Sequence, residues 1–352
     1  MNSDWKAYLE SQHALIEDGR VVHFGNAATE LANTRSGTIL SDLSHFDLIQ
    51  FTGEDAQSFL QGQVTCDVSR ADSSSASYGG YCNAKGRILA SFMLWCDSDG
   101  YLMQLPCELR AGIQKRLSMY VLRAKVRLGD ASDVMVRLGL AGDDAPGLIQ
   151  RIFGELPALR LGVSHGKKGS VIRLPGERFE LVVPLGQAPE VWQDLSREAE
   201  PVGTRCWDWL EIRAGIPVIL PETQEQFVPQ MVNLDTIGGV SFQKGCYPGQ
   251  EIVARTQYLG KIKRRMYLAN INGNIGLGRE EIPVAAGDEL FSADMDGQAS
   301  GMVANAAPSP GGGFDVLAVI QISSVESGRM HWKSLDGPAL DIIQLPFAID
   351  PP

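Results

Sequence analysis

The sequence predicts an α+β chain: two units of the split βαβ kind, followed by a small antiparallel β-barrel. Three observations predict it. Pairs of strands with helices between them occur twice between residues 46 and 199, with no sequence repeat linking the two sets. After residue 261 the pattern changes to six short strands and no clear helix. The composition, 44% hydrophobic and 21% charged over 352 residues, is that of an ordinary globular protein with room for two or three domains.

In chain order, residues 4–17 read as a helix with Trp5, Tyr8, Leu9 and the Leu15/Ile16 pair loosely on one face. Residues 21–24 read as a strand stopped by Gly25, and 46–52 as a strand. Gly53-Glu54-Asp55 opens a short helix over 56–61 that Gly62 ends. Strands at 78–83 and 87–95 flank Ala84-Lys85-Gly86, a hairpin by spacing and turn chemistry. A strand follows at 101–105. Residues 108–120 then form a helix, with Leu109, Ile113, Leu117 and Val121 recurring every four residues. The same order recurs as a strand at 134–141, a helix at 146–153, strands at 171–174 and 179–183 around Pro175-Gly176, and a helix at 189–199. A further helix, 205–214, ends at Gly215-Ile216-Pro217, and a mostly irregular crossover covers 220–239. The six closing strands are expected at 263–271, 289–291, 299–304, 315–322, 329–332 and 342–344.

Several function classes are disfavoured by composition. A net charge of −11 argues against a protein that coats duplex nucleic acid. No apolar run approaches membrane-spanning length, and the N-terminus lacks a basic-then-apolar export pattern, so a cytoplasmic protein is expected. The six cysteines form no Cys-x-x-Cys pair and the five histidines no His-x-x-x-His pair, so neither a disulfide framework nor a permanent metal site is expected. The charge is uneven, however. Six cations and one anion fall between Lys244 and Arg265, an island that reads as a solvated strand edge or as a docking site for an anionic ligand tail or acidic partner.

That island opens on the densest chemistry in the chain, Lys244-Gly245-Cys246-Tyr247-Pro248-Gly249-Gln250-Glu251, continuing to Arg255. Pro248-Gly249 is a turn signal. Pro248 also suits the first position of a helix carrying Glu251 in its first turn. On the helical reading Cys246 lies just ahead of a helix N-terminus between two cations, which favours thiolate; on the other it is a small residue packed in a structural turn.

With Phe51-Thr52-Gly53-Glu54-Asp55-Ala56 through Val68, Asn83-Ala84-Lys85-Gly86-Arg87-Ile88, Leu210 to Pro217, and Phe227-Val228-Pro229-Gln230 to Leu234, this stretch makes five ordered blocks. Together they resemble the YgfZ family of folate-binding proteins, relatives of the glycine cleavage T-protein (aminomethyltransferase). The resemblance implies a three-domain ring of two interleaved ferredoxin-like units and a C-terminal barrel. Its divisions would be a folate-binding region over 1–240, the motif and junction over 241–260, and the barrel over 261–352.

It further implies tetrahydrofolate or a one-carbon derivative as cofactor, and iron–sulfur client or assembly proteins as partners. The role implied is maintenance of iron–sulfur proteins, with an effect on tRNA thiolation; stable nucleic-acid binding and membrane association are not expected. Cys246 would be the reactive or ligating thiol. Lys244 and Arg255 would hold the thiolate or an anion, and Glu251 would accept a proton or pair with Arg255. Phe46, Trp207, Arg213, Tyr247 and Gln250 would line the folate site, Phe46 and Trp207 as aromatic shelves. Two departures weigh against the T-protein reaction, the alternative reading. Ala90 and Ser91 stand where T-proteins carry an acidic residue, and Arg213 stands where they carry a Glu; Arg can only donate hydrogen bonds to a pterin.

Overall fold

The computed structural model describes residues 1–260, 262–272 and 283–349, and divides the chain into two compact units, each discontinuous in sequence. Residues 1–61, 67–77 and 93–207 make the first; residues 62–66, 78–92 and 208–352 make the second.

The first unit departs from the sequence reading at its start. The helix runs only over Ser3–Ser11, capped by the Asn2 side chain, and Leu15–Glu17 pairs with Arg20–His23 as an antiparallel hairpin. The expected helix over 4–17 is therefore cut in half. Its second half ends in Asp18-Gly19, where both residues have positive φ (48° and 75°), the backbone a two-residue hairpin turn demands. A helix over Ala27–Thr34, capped by Asn26, also escaped the periodicity reading.

Most other elements fall where expected. Phe46–Thr52 lies between Gly100–Pro106 and Arg127–Asp130 in an antiparallel sheet. A six-stranded sheet has the order Val163–Gly166, Gly169–Leu174, Arg178–Pro184, Met135–Ala141, Ile39–Asp42, Glu200–Val202. Its last strand is parallel to Ile39–Asp42 and the other pairings are antiparallel. The helices Ala145–Phe153 and Ala188–Leu195 bury Leu148, Ile149, Val191 and Trp192 with Trp5, Leu9 and inward residues of this sheet, such as Leu138, Leu140, Phe179 and Leu181. Each such side chain contributes on the order of 1.5–3 kcal/mol by leaving water.

In the second unit the expected barrel is a curled antiparallel sheet of six strands. Its order is Met330–Trp332, Glu289–Ser292, Ala299–Pro308, Phe314–Gln321, Arg264–Ile271, Leu340–Ile343. A bridge from His331 to Ala339 draws the two edge strands towards each other, as in a half-barrel. One short helix, Ile322–Ser327, interrupts what read as all-β. No helix among the described residues is long and apolar enough to cross a membrane.

Candidate functional site

The stretch from Lys244 to Arg255 folds as a loop, a turn and a helix. The chain turns at Pro248-Gly249, and the helix Gln250–Tyr258 begins directly after the turn. Both readings of Pro248 are thus half met: it belongs to the turn, and a helix follows two residues later. Gly249 is that helix's N-cap, with φ of 81° and no side chain to offer it.

That glycine is required by a neighbour. A Cβ on Gly249 would stand 2.4 Å from the Asn83 carbonyl oxygen and 2.6 Å from the Gly86 Cα. One on Gly86 (φ 69°) would stand 3.1 Å from Ile252 Cβ. The 83–87 hairpin and the Cys246 loop therefore meet backbone against backbone, an approach only glycine permits. The Asn83 carboxamide closes the hairpin by accepting from the N–H groups of Lys85 (2.9 Å) and Arg87 (3.0 Å).

Parts of two other sequence blocks, Val64 to Cys66 and the crossover at Gln230, also meet this stretch. Lys244 Nζ donates to the carbonyls of Val64 (2.7 Å) and Cys66 (2.8 Å) and lies 5.4 Å from the Tyr247 ring centroid. Thr65 Oγ1 donates to Gly239 O at 2.6 Å, and Ser241 N–H donates to Thr65 O at 2.9 Å. Gln230 Nε2 donates to Val253 O at 2.7 Å, tying the crossover to the helix. Arg265 in turn holds the crossover through Asp235 (2.8 and 2.9 Å) and Gln230 O (2.6 Å).

Within this frame Cys246 is the exposed one of six free cysteines; Cys66, Cys82 and Cys206 are buried, while Cys96 and Cys107 are half-buried. Gln250 Nε2 sits 3.5 Å from Gly245 O, across the loop that carries the thiol. Glu251 and Arg255 are exposed, and among the described residues no hydrogen bond or ion pair joins them, despite their i, i+4 spacing. Tyr247 is buried, and its hydroxyl has no hydrogen-bond partner among the described residues. Burial, with Cys82 nearby, pushes the Tyr247 phenol well above its ordinary range, and burial pushes the Cys82 thiol up to about 12.

The basic island is less uniform than its sequence. Lys244 and Arg265 are committed to internal carbonyls and to Asp235, Arg255 and Lys263 are exposed, and Lys261 lies outside the described residues. Arg213 Nη1 lies 3.7 Å from Asp315, a buried carboxylate that also accepts from Trp209 Nε1 and Asn270 Nδ2. Ser91 is buried; its hydroxyl donates to Pro217 O (2.9 Å) and accepts from Ile219 N–H (2.9 Å), so it braces the chain just ahead of the crossover.

Phe46 and Trp207 belong to the first unit and the seven other predicted site residues to the second. Phe46 is buried, its carbonyl accepting from Arg137. Trp207 is buried against Gly139, with the Arg178 guanidinium 5.5 Å from its ring centroid. Beside them lies a buried polar cluster that the sequence reading missed: Gln104, Arg137, Arg178 and Glu180. Gln104 Nε2 donates to Glu180 at 2.9 Å, joining the two sheets of this unit. Gln104 Oε1 and Arg137 Nε are buried without a hydrogen-bond partner among the described residues. The sequence signal was available, since each of these four is a polar residue at a buried place in an otherwise apolar strand. Among the described residues no group of three or more His, Cys, Asp or Glu side chains is placed to hold a metal ion.

A family model of the GCVT N-terminal domain matches residues 7–244. The chain is 32% identical over 323 residues to the tRNA-modifying protein YgfZ of Shigella boydii, covering 91% of this chain and 96% of that one. It is 31% identical to the protein of the same name from Sodalis glossinidius, covering 88% and 93%, and 36% identical to that from Colwellia psychrerythraea, covering 66% and 72%. Among solved structures it resembles the glycine cleavage system aminomethyltransferase T from Bartonella henselae, with a TM-score of 0.80, 18% identity, and coverage of 99% and 98%. At that identity the likeness is one of fold. By sequence over nearly its whole length, this chain belongs to the YgfZ family, built on the fold of the glycine cleavage T-protein.

Proposed function

We propose that this protein is a folate-binding accessory factor for the assembly or repair of iron–sulfur proteins, acting through Cys246 and thereby affecting tRNA thiolation. The observation that carries the reading is the setting of Cys246. It is the exposed thiol of six, on a loop pinned by a glycine-to-glycine contact and by the Lys244 bonds to Val64 and Cys66. A thiol kept for packing would be buried, as Cys66, Cys82 and Cys206 are. The name of its relatives, tRNA-modifying protein, agrees with a downstream effect on tRNA.

On this reading one role is refined. With its ammonium engaged by two carbonyls, Lys244 acts as an anchor of the loop, and Arg255, exposed on the following helix, is a cation available to an incoming anion.

Unmet polar groups in the first unit support a reduced folate as its ligand. A pterin edge offers both donors and acceptors, and the buried Gln104 Oε1 and Arg137 Nε are an unmet acceptor and an unmet donor. Gln104, Arg137 and Glu180 would hold the pterin, with Phe46 and Trp207 as its aromatic neighbours. When bound, a reduced folate supplies a carrier for one-carbon groups. The T-protein transferase reading is less well supported, because the buried hydroxyl of Ser91 is spent on Pro217 and Ile219 and Ala90 offers no proton acceptor.

The test is complementation of a deletion strain with Cys246→Ala. Iron–sulfur enzyme activity and tRNA thiolation are expected to stay at deletion level while the variant remains folded and glycine cleavage is intact. Full restoration by this variant would refute the thiol role.

A further inference from the structure

A second basic segment lies in the first unit. Residues 115–127 hold five cations, Lys115, Arg116, Arg123, Lys125 and Arg127, and no anion, within a chain of net charge −11. Among the described residues Lys125 alone of the five has an ion-pair partner, Glu54 at 2.7 Å.

The segment also displays apolar side chains. Met119, Tyr120 and Leu122 are 63%, 47% and 88% exposed. Single exposed apolar residues are common, but three in four positions, bordered by cations, make a patch. Leu122 has φ of 46°, a left-handed backbone that disfavours leucine.

That conformation is enforced. Ala124 N–H donates to Val121 O at 2.8 Å, and the Asp55 carboxylate accepts from Lys125 N–H at 2.8 Å. Opposite them Gly53, at φ 110°, packs so closely that a Cβ would stand 2.1 Å from the Lys125 carbonyl oxygen. The fold thus holds a strained backbone in place and presents a leucine to solvent at its crest. Strain that the surroundings maintain, at an exposed residue, is characteristic of a binding feature.

We propose that residues 115–127 form a docking surface for an acidic segment of a protein partner, with Leu122 and Met119 entering an apolar notch and carboxylates meeting Lys115, Arg123 and Arg127. Charge complementarity selects an anionic partner. The two most exposed groups of the patch, Leu122 and Met119, are aliphatic and gain from apolar cover, which favours protein over RNA even though Tyr120, the least exposed of the three, could also stack on a base. Because the loop is already fixed, ordering it costs little on binding.

The experiment places a photo-crosslinking p-benzoylphenylalanine at position 122 of the full chain in its host cell. The control position is Leu159, in the same unit and 76% exposed. The expected result is a nuclease-resistant adduct with one other protein, formed at 122 and absent at 159. That protein, purified, binds the wild-type chain in a salt-dependent manner, and binding weakens at least tenfold with Arg123→Glu and with Leu122→Gly. Leu122→Gly relieves the backbone strain, so its melting temperature does not fall, and loss of binding by it is not loss of fold. An adduct removed by ribonuclease, an adduct with a second copy of this chain, equal labelling at 159, no adduct, or affinity unchanged by both substitutions would overturn the proposal.

Discussion

At the scale of single residues, sequence position and chemical role separate. Lys244 and Cys246 stand two apart in a cation-rich motif, which reads as a thiol and its counter-charge. In the structure the lysine points to Val64 and Cys66 and the cysteine to solvent. Tyr247, the residue after Cys246, is the sharper probe. A buried hydroxyl without a partner costs folding free energy. Tyr247→Phe is therefore expected to melt no lower than wild type, with a gain of up to about 1 kcal/mol, measured by urea denaturation. A clear loss of stability would mean that the hydroxyl is paired in solution. The exposure of Cys246 was not legible in its motif, because exposure depends on what the rest of the chain packs over it.

At the scale of elements, the hairpin and the Cys246 loop are one assembly. Their contact is between backbones at Gly86 and Gly249, with no room for a methyl group. Gly249→Ala is expected to cost at least about 2 kcal/mol, from a strained φ and a collision with the Asn83 carbonyl. A second effect is expected in the same variant: faster labelling of Cys246 by a thiol reagent, because the loop loses its support. Unchanged stability and labelling would show that the two elements do not depend on this contact. Element types were largely readable in advance. The strand Phe46–Thr52 and the helix Ala56–Gln61 match their expected limits, since alternation and glycine stops mark them locally. The first helix failed because a loose apolar face outweighed the Asp18-Gly19 turn.

At the scale of the whole molecule, two measurements are informative. The first is the dependence of stability on pH. His45 is held well below its ordinary value by burial and, secondarily, by Arg20 and Arg137. Its folded value lies below the unfolded value of about 6.5, so the stability tied to neutral His45 is fully present above that pH. It is lost as pH falls from there towards the folded value, by about 1.4 kcal/mol per pH unit at most. Melting curves between pH 7 and pH 5 should show this loss, and His45→Leu should flatten it. An equal slope in the variant would assign the dependence to other groups. The second is folate binding. Titration with a tetrahydrofolate is expected to quench tryptophan fluorescence, with binding weakened at least tenfold in Glu180→Gln if the buried carboxylate reads the pterin. No quenching at saturation, together with equal affinity of the variant by calorimetry, would remove the first-unit cluster from folate recognition.

The sequence by itself determined the family, most of the elements, the change from mixed α+β to short antiparallel strands after residue 261, and the motif around Cys246. These are local: turn glycines, apolar periodicity and short ordered blocks act over a few residues. Only the tertiary structure decided which groups are exposed and which are spent. It buried Gln104, Arg137, Arg178 and Glu180 between two sheets, committed Lys244 to carbonyls some 180 positions earlier in the chain, and lifted Leu122 into solvent. Burial and hydrogen-bond partners come from segments far apart in sequence, and no window along the chain contains both.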